Sequence, residues 1–203
     1  MPSWQELAAA QAGEDYAHRF ADHFDQLEAA GQDVHGEASF VASLVPPGAT
    51  VLDAGCGTGR VAARLATLGY AVEGVDLDEK MIEVARERSP SIRWSVSGLA
   101  ELDLGTTYDV VVLAGNVIPF VDPSTLPAVA ARLRDHTRPG GLVVCGYGLD
   151  LEHLPPGAPV VPLDTYDEAC TTAGLVLAER FGGWAREEFV RGGGYAVSVH
   201  RRD

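Results

Sequence analysis

The chain has 203 residues, of which 46% are hydrophobic and 22% charged, which suits one well-buried globular domain. Its formal net charge of −14, without a basic cluster, argues against a nucleic-acid partner. No apolar run approaches the roughly 18 residues of a membrane span, so no membrane partner is expected. Three cysteines without CxxC spacing favour a reducing cytoplasm over a disulfide framework or a metal site.

The N-terminal segment, residues 1–48, is predicted to form a helical piece outside the main domain. Tyr16, Phe20, Phe24 and Leu27 follow one another at roughly helical spacing. The segment has no basic region followed by an apolar core, so it does not resemble a signal peptide.

From about residue 50 the sequence alternates between apolar runs and amphipathic helical patterns. A first strand ends at Gly55, and the helix after it ends at Gly69. The second strand is predicted over Tyr70–Asp76. Asp78 then caps a helix that ends near Ser89-Pro90.

The next elements continue the same strand–helix alternation. Strands are predicted over 92–96 and 110–114, and the second of these is continuously apolar, which is typical of a parallel strand buried on both faces. Asp122-Pro123 is interpreted as the N-cap and first residue of a helix. The segment 138–141 is predicted to separate that helix from a fifth strand. The repeated units indicate a doubly wound parallel sheet.

The C-terminal part departs from this alternation. Residues 153–164 are rich in proline and predict a connecting loop, followed by a short helix over about 165–173. Two strand-like runs, 175–181 and 195–202, close the chain. Because the turn at 191–194 is glycine-rich, a hairpin is favoured, with the last strand antiparallel to its neighbours.

The stretch VLDAGCGTGR, residues 51–60, forms a glycine-rich turn between a strand and a helix. Gly55, Gly57 and Gly59 allow positive φ and close approach of a ligand to the backbone. Their G-x-G-x-G spacing differs from the dinucleotide fingerprint G-x-G-x-x-G, which would need a glycine where Arg60 stands. Asp53, at the end of the strand, is a poor neighbour for a pyrophosphate and a good one for a cation.

These residues resemble motif I of the class I S-adenosylmethionine-dependent methyltransferases. GVDLD resembles the end of that family's second strand, YDVVVLAGNVIPF its fourth-strand region, and LRDHTRPGGLVV its following helix and fifth strand. The resemblance covers about residues 48 to 203. It implies a Rossmann-like, mostly parallel seven-stranded sheet with the last strand antiparallel, a methyltransferase core over 49–203, and an N-terminal helical lid over 1–48.

The resemblance also implies a set of contacts to S-adenosylmethionine. The glycine turn would face the methionine part, Asp53 the amino group and Asp76 the two ribose hydroxyls. Leu99 stands where many relatives carry an aspartate, so backbone and apolar contacts replace a side-chain hydrogen bond to adenine. The full set of expected cofactor contacts is Asp53, Gly55, Cys56, Gly57, Gly59, Asp76, Leu77, Leu99, Ala100, Asn116, Val117, Tyr16 and Arg19.

Methyl transfer requires a base only where the attacking atom must lose a proton, so the resemblance names no fixed catalytic residue. Asn116 is predicted either to position the acceptor or to form a turn. His35 and His18 are the candidate bases, although a surface or packing role is the alternative for each. His153 and Tyr147 are further candidates near the fifth strand, and Trp4 and Trp184 are candidates for lining an acceptor pocket.

The resulting hypothesis is a cytoplasmic methyltransferase, monomeric or homodimeric, that acts on an unidentified small molecule. The main alternative is a non-catalytic S-adenosylmethionine-binding protein that serves as a regulatory or partner subunit. Aminopropyl transfer is a further alternative, and the glycine spacing makes an NAD-dependent dehydrogenase the least favoured one.

Overall fold

The computed structural model describes residues 4–10 and 13–203, together with the backbone of residues 11 and 12. The strands are β1 (Thr50–Ala54), β2 (Ala71–Asp76), β3 (Arg93–Val96), β4 (Tyr108–Leu113), β5 (Thr137–Gly148), β6 (Leu175–Phe181) and β7 (Tyr195–Arg202). The helices are α1 (Trp4–Ala12), α2 (Tyr16–Ala29), α3 (Gly36–Ala42), α4 (Arg60–Thr67), α5 (Glu79–Arg88), α6 (Leu126–Asp135) and α7 (Leu163–Thr172). None of the helices in the described ranges is long and apolar enough to cross a bilayer.

The seven strands form one sheet in the order β3-β2-β1-β4-β5-β7-β6. The pairs from β3 to β5 are parallel, whereas β7 runs antiparallel to both β5 and β6. All six residues of β4 are buried, since helices cover both faces of the sheet centre. The predicted fold class is therefore confirmed, including the reversed last strand.

The predicted start of the helix after β4 is wrong by a few residues. Asp122 does not cap α6; its carboxylate accepts hydrogen bonds from the amide and the hydroxyl of Ser124 and closes a local turn. The helix begins at Leu126, with Thr125 at the N-cap position. A short 3₁₀ turn, Ile118–Phe120, lies between β4 and this turn.

The segment 138–141, predicted to break the chain before β5, belongs to the strand. Thr137 pairs with Tyr108, and the register then shifts so that Leu142 pairs with Val110. Gly140 has a φ of 76°, which an L side chain rarely adopts. The glycine-rich segment is thus a bulge that the extended strand absorbs.

The N-terminal helices pack against two different parts of the domain. Phe40 of α3 is buried in the same core cluster as the central strands and contacts the rings of Phe181 and Trp184. Helices α1 and α2 instead form a smaller apolar cluster with Met81 and Val84 of α5. The division of the chain at residue 48 stays a prediction.

The ring of Trp94 in β3 occupies the space beside two glycines. A Cβ atom on either Gly59 or Gly74 would overlap the ring, and Gly59 also has a φ of 82° at the N-terminus of α4. The indole Nε1 donates a hydrogen bond to the Ser89 carbonyl at 2.9 Å, so the ring cannot easily move away. Gly59 therefore joins the glycine turn to β3 by close packing.

Gly59→Ala is expected to destabilise the fold by overpacking against Trp94. Gly105→Ala is a matched control, since Gly105 also has positive φ (64°) but nothing lies near its Cβ position. We expect Gly59→Ala to cost about 1–3 kcal/mol more than the control in the free energy of unfolding, measured by urea denaturation. Equal losses would show that backbone strain alone fixes this glycine.

Candidate active site

A cavity of about 610 Å³ opens at the carboxyl ends of β1, β2 and β4. This is the edge of a doubly wound sheet at which ligands bind, and the volume is within the range of about 300–1,000 Å³ of ligand sites. Ten of the residues predicted to contact the cofactor line it: Asp53, Gly55, Cys56, Gly57, Asp76, Leu77, Leu99, Ala100, Asn116 and Val117.

The glycine turn keeps side chains out of one wall of the cavity. Gly55 and Gly57 have φ angles of 80° and 54°, and a Cβ atom on Gly55 would lie 2.6 Å from Cγ2 of Val117. The Gly55 and Cys56 amides both donate to the carbonyl of Val75, at 2.7 and 3.0 Å. These bonds hold the turn against β2. Gly59, by contrast, faces Trp94 and does not line the cavity.

Asp53 is a buried carboxylate beneath the turn, with 1% of its surface exposed. One oxygen accepts a hydrogen bond from the Ala62 amide at 3.1 Å. Burial raises the pKa of the Asp53 carboxyl to about 7, although that hydrogen bond and the nearby Arg60 act in the opposite direction. A cationic group bound beside Asp53 would favour its ionised form.

Asp76 lies at the end of β2 and faces the same cavity. Its two oxygens accept hydrogen bonds from the amides of Gly57 and Asp78, at 2.8 and 2.9 Å. Burial raises the pKa of the Asp76 carboxyl, and these two bonds counteract the rise. A carboxylate has about four acceptor positions, so these two hydrogen bonds leave room for a ligand hydroxyl. Leu77 beside it exposes 67% of its surface, as an apolar platform would.

Asn116 follows β4 in the left-handed conformation, with a φ of 68°, which is uncommon outside glycine but which asparagine adopts more readily than most residues. Its Oδ1 accepts a hydrogen bond from the Gly148 amide at 2.7 Å, and its own amide donates to the Gly146 carbonyl at 3.4 Å. These bonds join the ends of β4 and β5 at the wall of the cavity. Backbone strain of this kind is typical of functional sites.

Tyr16 and Arg19 do not line the cavity in this structure. The Tyr16 hydroxyl donates a hydrogen bond of 2.6 Å to Oδ2 of Asp78, and its ring is buried. Arg19 is exposed on the outside of α2. The structure therefore places Tyr16 behind the cofactor wall, where it fixes Asp78, and contact of either residue with the cofactor stays a prediction.

The candidate histidines lie away from the larger cavity. His18 is exposed between Asp15 and Glu87, and its hydrogen bond to Glu87 raises its pKa. His35 lines a separate cavity of about 260 Å³, and its Nε2 lies 3.1 Å from Glu28. No histidine is found among the described residues that line the larger cavity.

The other sequence candidates are divided between core and surface. Tyr147 is buried, and its hydroxyl has no hydrogen-bond partner. His153 is exposed and pairs with Asp150 at 2.7 Å, which raises the pKa of the imidazole. Trp184 packs against Gly146 and donates a hydrogen bond to Tyr195. Of the two predicted tryptophans, only Trp4 lines the cavity.

Sequence reasoning missed an ion pair in the cavity wall. Arg60 makes a bidentate pair with Glu37, at 2.6 and 3.0 Å, and also donates to the Val34 carbonyl. Its guanidinium lies over the ring of Phe24, 4.4 Å from the ring centroid. The pair joins α4 to the start of α3, so it closes the cavity beside the glycine turn.

Sequence reasoning also did not predict that four aromatic rings would form one cluster in the cavity. Trp4, Phe20, Phe24 and Phe120 all line the cavity and contact one another edge to face. The helical spacing of Phe20 and Phe24 signalled a shared helix face. Nothing in the sequence showed that this face meets Trp4 and the turn after β4.

Comparison with known proteins agrees with this geometry. The model of the family described as "Methyltransferase domain" matches residues 51–141. The crystal structure of a TehB-like SAM-dependent methyltransferase from Corynebacterium glutamicum superposes with a TM-score of 0.83 at 32% sequence identity, over 93% of this chain and 98% of that one. The chain belongs to the class I S-adenosylmethionine-dependent methyltransferase family.

Two curated relatives of this chain differ in the acceptor that their names specify. One is a dTDP-3-amino-3,6-dideoxy-alpha-D-glucopyranose N,N-dimethyltransferase from Streptomyces fradiae, 30% identical over 74% of this chain and 61% of its own. The other is a malonyl-[acyl-carrier protein] O-methyltransferase from Serratia marcescens, 31% identical over 71% of this chain and 55% of its own. The chain thus spans between half and two thirds of the length of these relatives.

The residues present fit the family's cofactor, S-adenosylmethionine. Gly55 and Gly57 present bare backbone at the cavity wall, where a side chain on Gly55 would collide with Val117. Asp53 offers a buried negative charge for the ammonium group, and Asp76 retains room to accept a hydrogen bond from a ribose hydroxyl. When bound, the cofactor supplies an electrophilic methyl group on a sulfonium.

The buried carboxyl of Asp53 makes stability depend on pH. Its pKa is near 7 in the folded protein and near 3.8 when exposed, so the stability it contributes is fully present below about pH 4 and is lost as pH rises through 7. Asp53→Asn lacks this titration. Between pH 5 and 8 the wild type should lose about 2–3 kcal/mol relative to the variant, measured by urea unfolding.

Asp103→Asn is the control for this measurement, since Asp103 is an exposed loop carboxylate. It should follow the wild type at both pH values. A parallel pH dependence of wild type and Asp53→Asn would contradict the raised pKa.

Proposed function

We propose that this methyltransferase transfers the methyl group of S-adenosylmethionine to a small molecule. The observation that carries the proposal is one cavity in which the glycine turn, Asp53 and Asp76 share a wall with four aromatic rings. The carboxylates and backbone groups suit the cofactor, and the rings form a second surface for an acceptor. The relatives' names support methyl transfer as the reaction.

The protein's contribution is to align the acceptor and exclude water. In-line attack needs the nucleophile held behind the methyl group, and such positioning removes much of the barrier. Asn116 and Val117 line the cavity together with Phe120, which follows them in the chain, so we assign them a positioning role beside their expected contact with the cofactor. The placement of His18 and His35 does not support either as a base.

The cavity also bears on the non-catalytic alternative. A protein that only binds the cofactor has no need of a second lined surface, whereas an acceptor requires one. The aromatic surface therefore favours the enzyme. We further propose a cytoplasmic location, because the three cysteines are unpaired; a monomer or homodimer stays our prediction for the assembly.

Binding of S-adenosylhomocysteine is the first test of the proposal. Isothermal titration calorimetry should show one site per chain in the wild type. Asp76→Asn should weaken binding by about 1–3 kcal/mol, since a hydrogen bond from a ribose hydroxyl to a charged group is lost. Glu79 is an exposed carboxylate three residues further on. The control variant Glu79→Gln should bind S-adenosylhomocysteine as tightly as the wild type does. No binding by the wild type would end the proposal, and unchanged binding by Asp76→Asn would remove the ribose assignment.

Proton release on binding tests the role of Asp53. An ammonium group beside Asp53 stabilises its ionised form, so binding lowers a pKa that begins near 7 and releases a proton at neutral pH. Affinity for S-adenosylhomocysteine should therefore rise with pH through about 7. Titrations in buffers with different ionisation enthalpies should detect the proton in the wild type and not in Asp53→Asn. An equal release from both proteins would place the ammonium elsewhere.

A further inference from the structure

The aromatic rings of the cavity form a continuous chain, which we call the aromatic chain: Trp4, Phe20, Phe24 and Phe120. Ring centroids lie 5.2 Å apart between Phe24 and Phe20, 5.6 Å between Phe20 and Trp4, and 5.5 Å between Trp4 and Phe120. All four contribute to the cavity lining. The aromatic chain joins α1 and α2 to the turn after β4, so it spans the cavity from one side to the other.

The aromatic chain lies toward the methionine end of the cofactor contacts. An edge atom of Phe20 lies 3.9 Å from where a Cβ of Gly57 would be, and Phe24 packs under Arg60 at the end of the glycine turn. Phe120 follows Asn116 and Val117 in the chain, and the Val117 side chain lies against Gly55 of the same turn. Leu99 and Ala100, the expected adenine contacts, follow β3 and are not part of the aromatic chain. The rings therefore surround the region from which an acceptor would approach the methyl group.

Charge around the cavity has one predominant sign. Six carboxylates line it: Glu37, Asp53, Asp76, Asp78, Glu101 and Asp122. Among the described residues that line it, Arg60 is the single cation, and it is committed to Glu37. Within the described part of the lining no cation is left free to offset the repulsion of an anionic acceptor, whereas an ammonium group would be attracted.

We propose that the acceptor is an amine with a flat apolar body, and that it carries no phosphate or carboxylate. The aromatic chain packs against the apolar body and holds the cationic amine by contact with ring faces, while Asp122 adds to the favourable field. The proposal rests on the proposed function and restricts its acceptor. The proposed acceptor of this protein therefore differs from the substrate of the Streptomyces fradiae relative, whose named substrate carries a dTDP group.

The transfer itself balances without a further reactant. The amine loses a proton to solvent, and its nitrogen lone pair forms the new bond to the methyl carbon. The carbon–sulfur bond of S-adenosylmethionine breaks, with its electron pair passing to sulfur. The products are S-adenosylhomocysteine and the methylated ammonium, and no oxidant or reductant takes part.

The test measures binding rather than turnover. The protein is saturated with S-adenosylhomocysteine and titrated with 2-phenylethylamine, 1-naphthylmethylamine, 2-phenylethanol, phenylacetate and a dTDP-linked amino sugar. Calorimetry gives the affinities. Both amines should bind at least about tenfold more tightly than phenylacetate, and the alcohol should lie between. Tighter binding of phenylacetate or of the dTDP-linked sugar would overturn the proposal.

Matched variants test the two parts of the proposal separately. Phe120→Ala should weaken binding of 1-naphthylmethylamine about tenfold, whereas Phe189→Ala, an aromatic residue outside the cavity, should not. Asp122→Asn should weaken binding of both amines about two- to fivefold and leave 2-phenylethanol unchanged. Asp135→Asn, an exposed carboxylate on α6, is its control. Equal effects in variant and control would overturn the assignment.

The affinity for S-adenosylhomocysteine distinguishes a failure of the acceptor proposal from a failure of the proposed function. If this ligand binds and neither amine does, the acceptor proposal is wrong and the proposed function stands. If S-adenosylhomocysteine itself fails to bind the wild type, the proposed function has failed. Phe120→Ala should retain its affinity for S-adenosylhomocysteine, which shows that the variant is folded.

Discussion

The hydrogen bond from the Gly57 amide to the Asp76 carboxylate couples the glycine turn to the end of β2. The Val75 carbonyl fixes the same turn through the amides of Gly55 and Cys56. These three bonds set the shape of the backbone cradle and the orientation of Asp76 at once. Loss of either partner would leave a polar group without its bond and move both walls of the cofactor site, so the rest of the site depends on this contact.

Hydrogen bonds from backbone amides explain why the site tolerates buried carboxylates. Asp53 and Asp76 lose hydration, and burial raises the pKa of both. Backbone amides supply part of the lost stabilisation at each carboxylate, and the remainder falls to a bound cation or to hydroxyl donors. The site is therefore held by its own amides but is complete only with a ligand of opposite charge.

Much of the fold and of the cofactor half of the site follows from local sequence. Alternation of buried strands and amphipathic helices predicts the parallel sheet, and the glycine turn and Asp76 sit at strand ends whose positions the sheet determines. The start of α6 was missed, because Asp122 has a second local use in closing a turn with Ser124. The periodicity of the sequence also did not predict how β5 pairs with β4. Residues 138–141, which were expected to separate α6 from β5, belong to the strand and form a bulge at Gly140.

The acceptor half could not be predicted in the same way. Helical spacing shows that Phe20 and Phe24 share a face but not that this face meets Trp4 and Phe120, because such contacts depend on how helices pack.

Three of the four rings come from α1 and α2, outside the residues 51–141 that the family model matches. The cofactor half is built instead from strand ends and turns within the sheet. Substitutions in the N-terminal helices therefore act on the proposed acceptor surface first, although Phe20 and Phe24 also pack close to the glycine turn. The names of two relatives specify N- and O-methyl transfer to different acceptors, so the shared core does not by itself determine the acceptor.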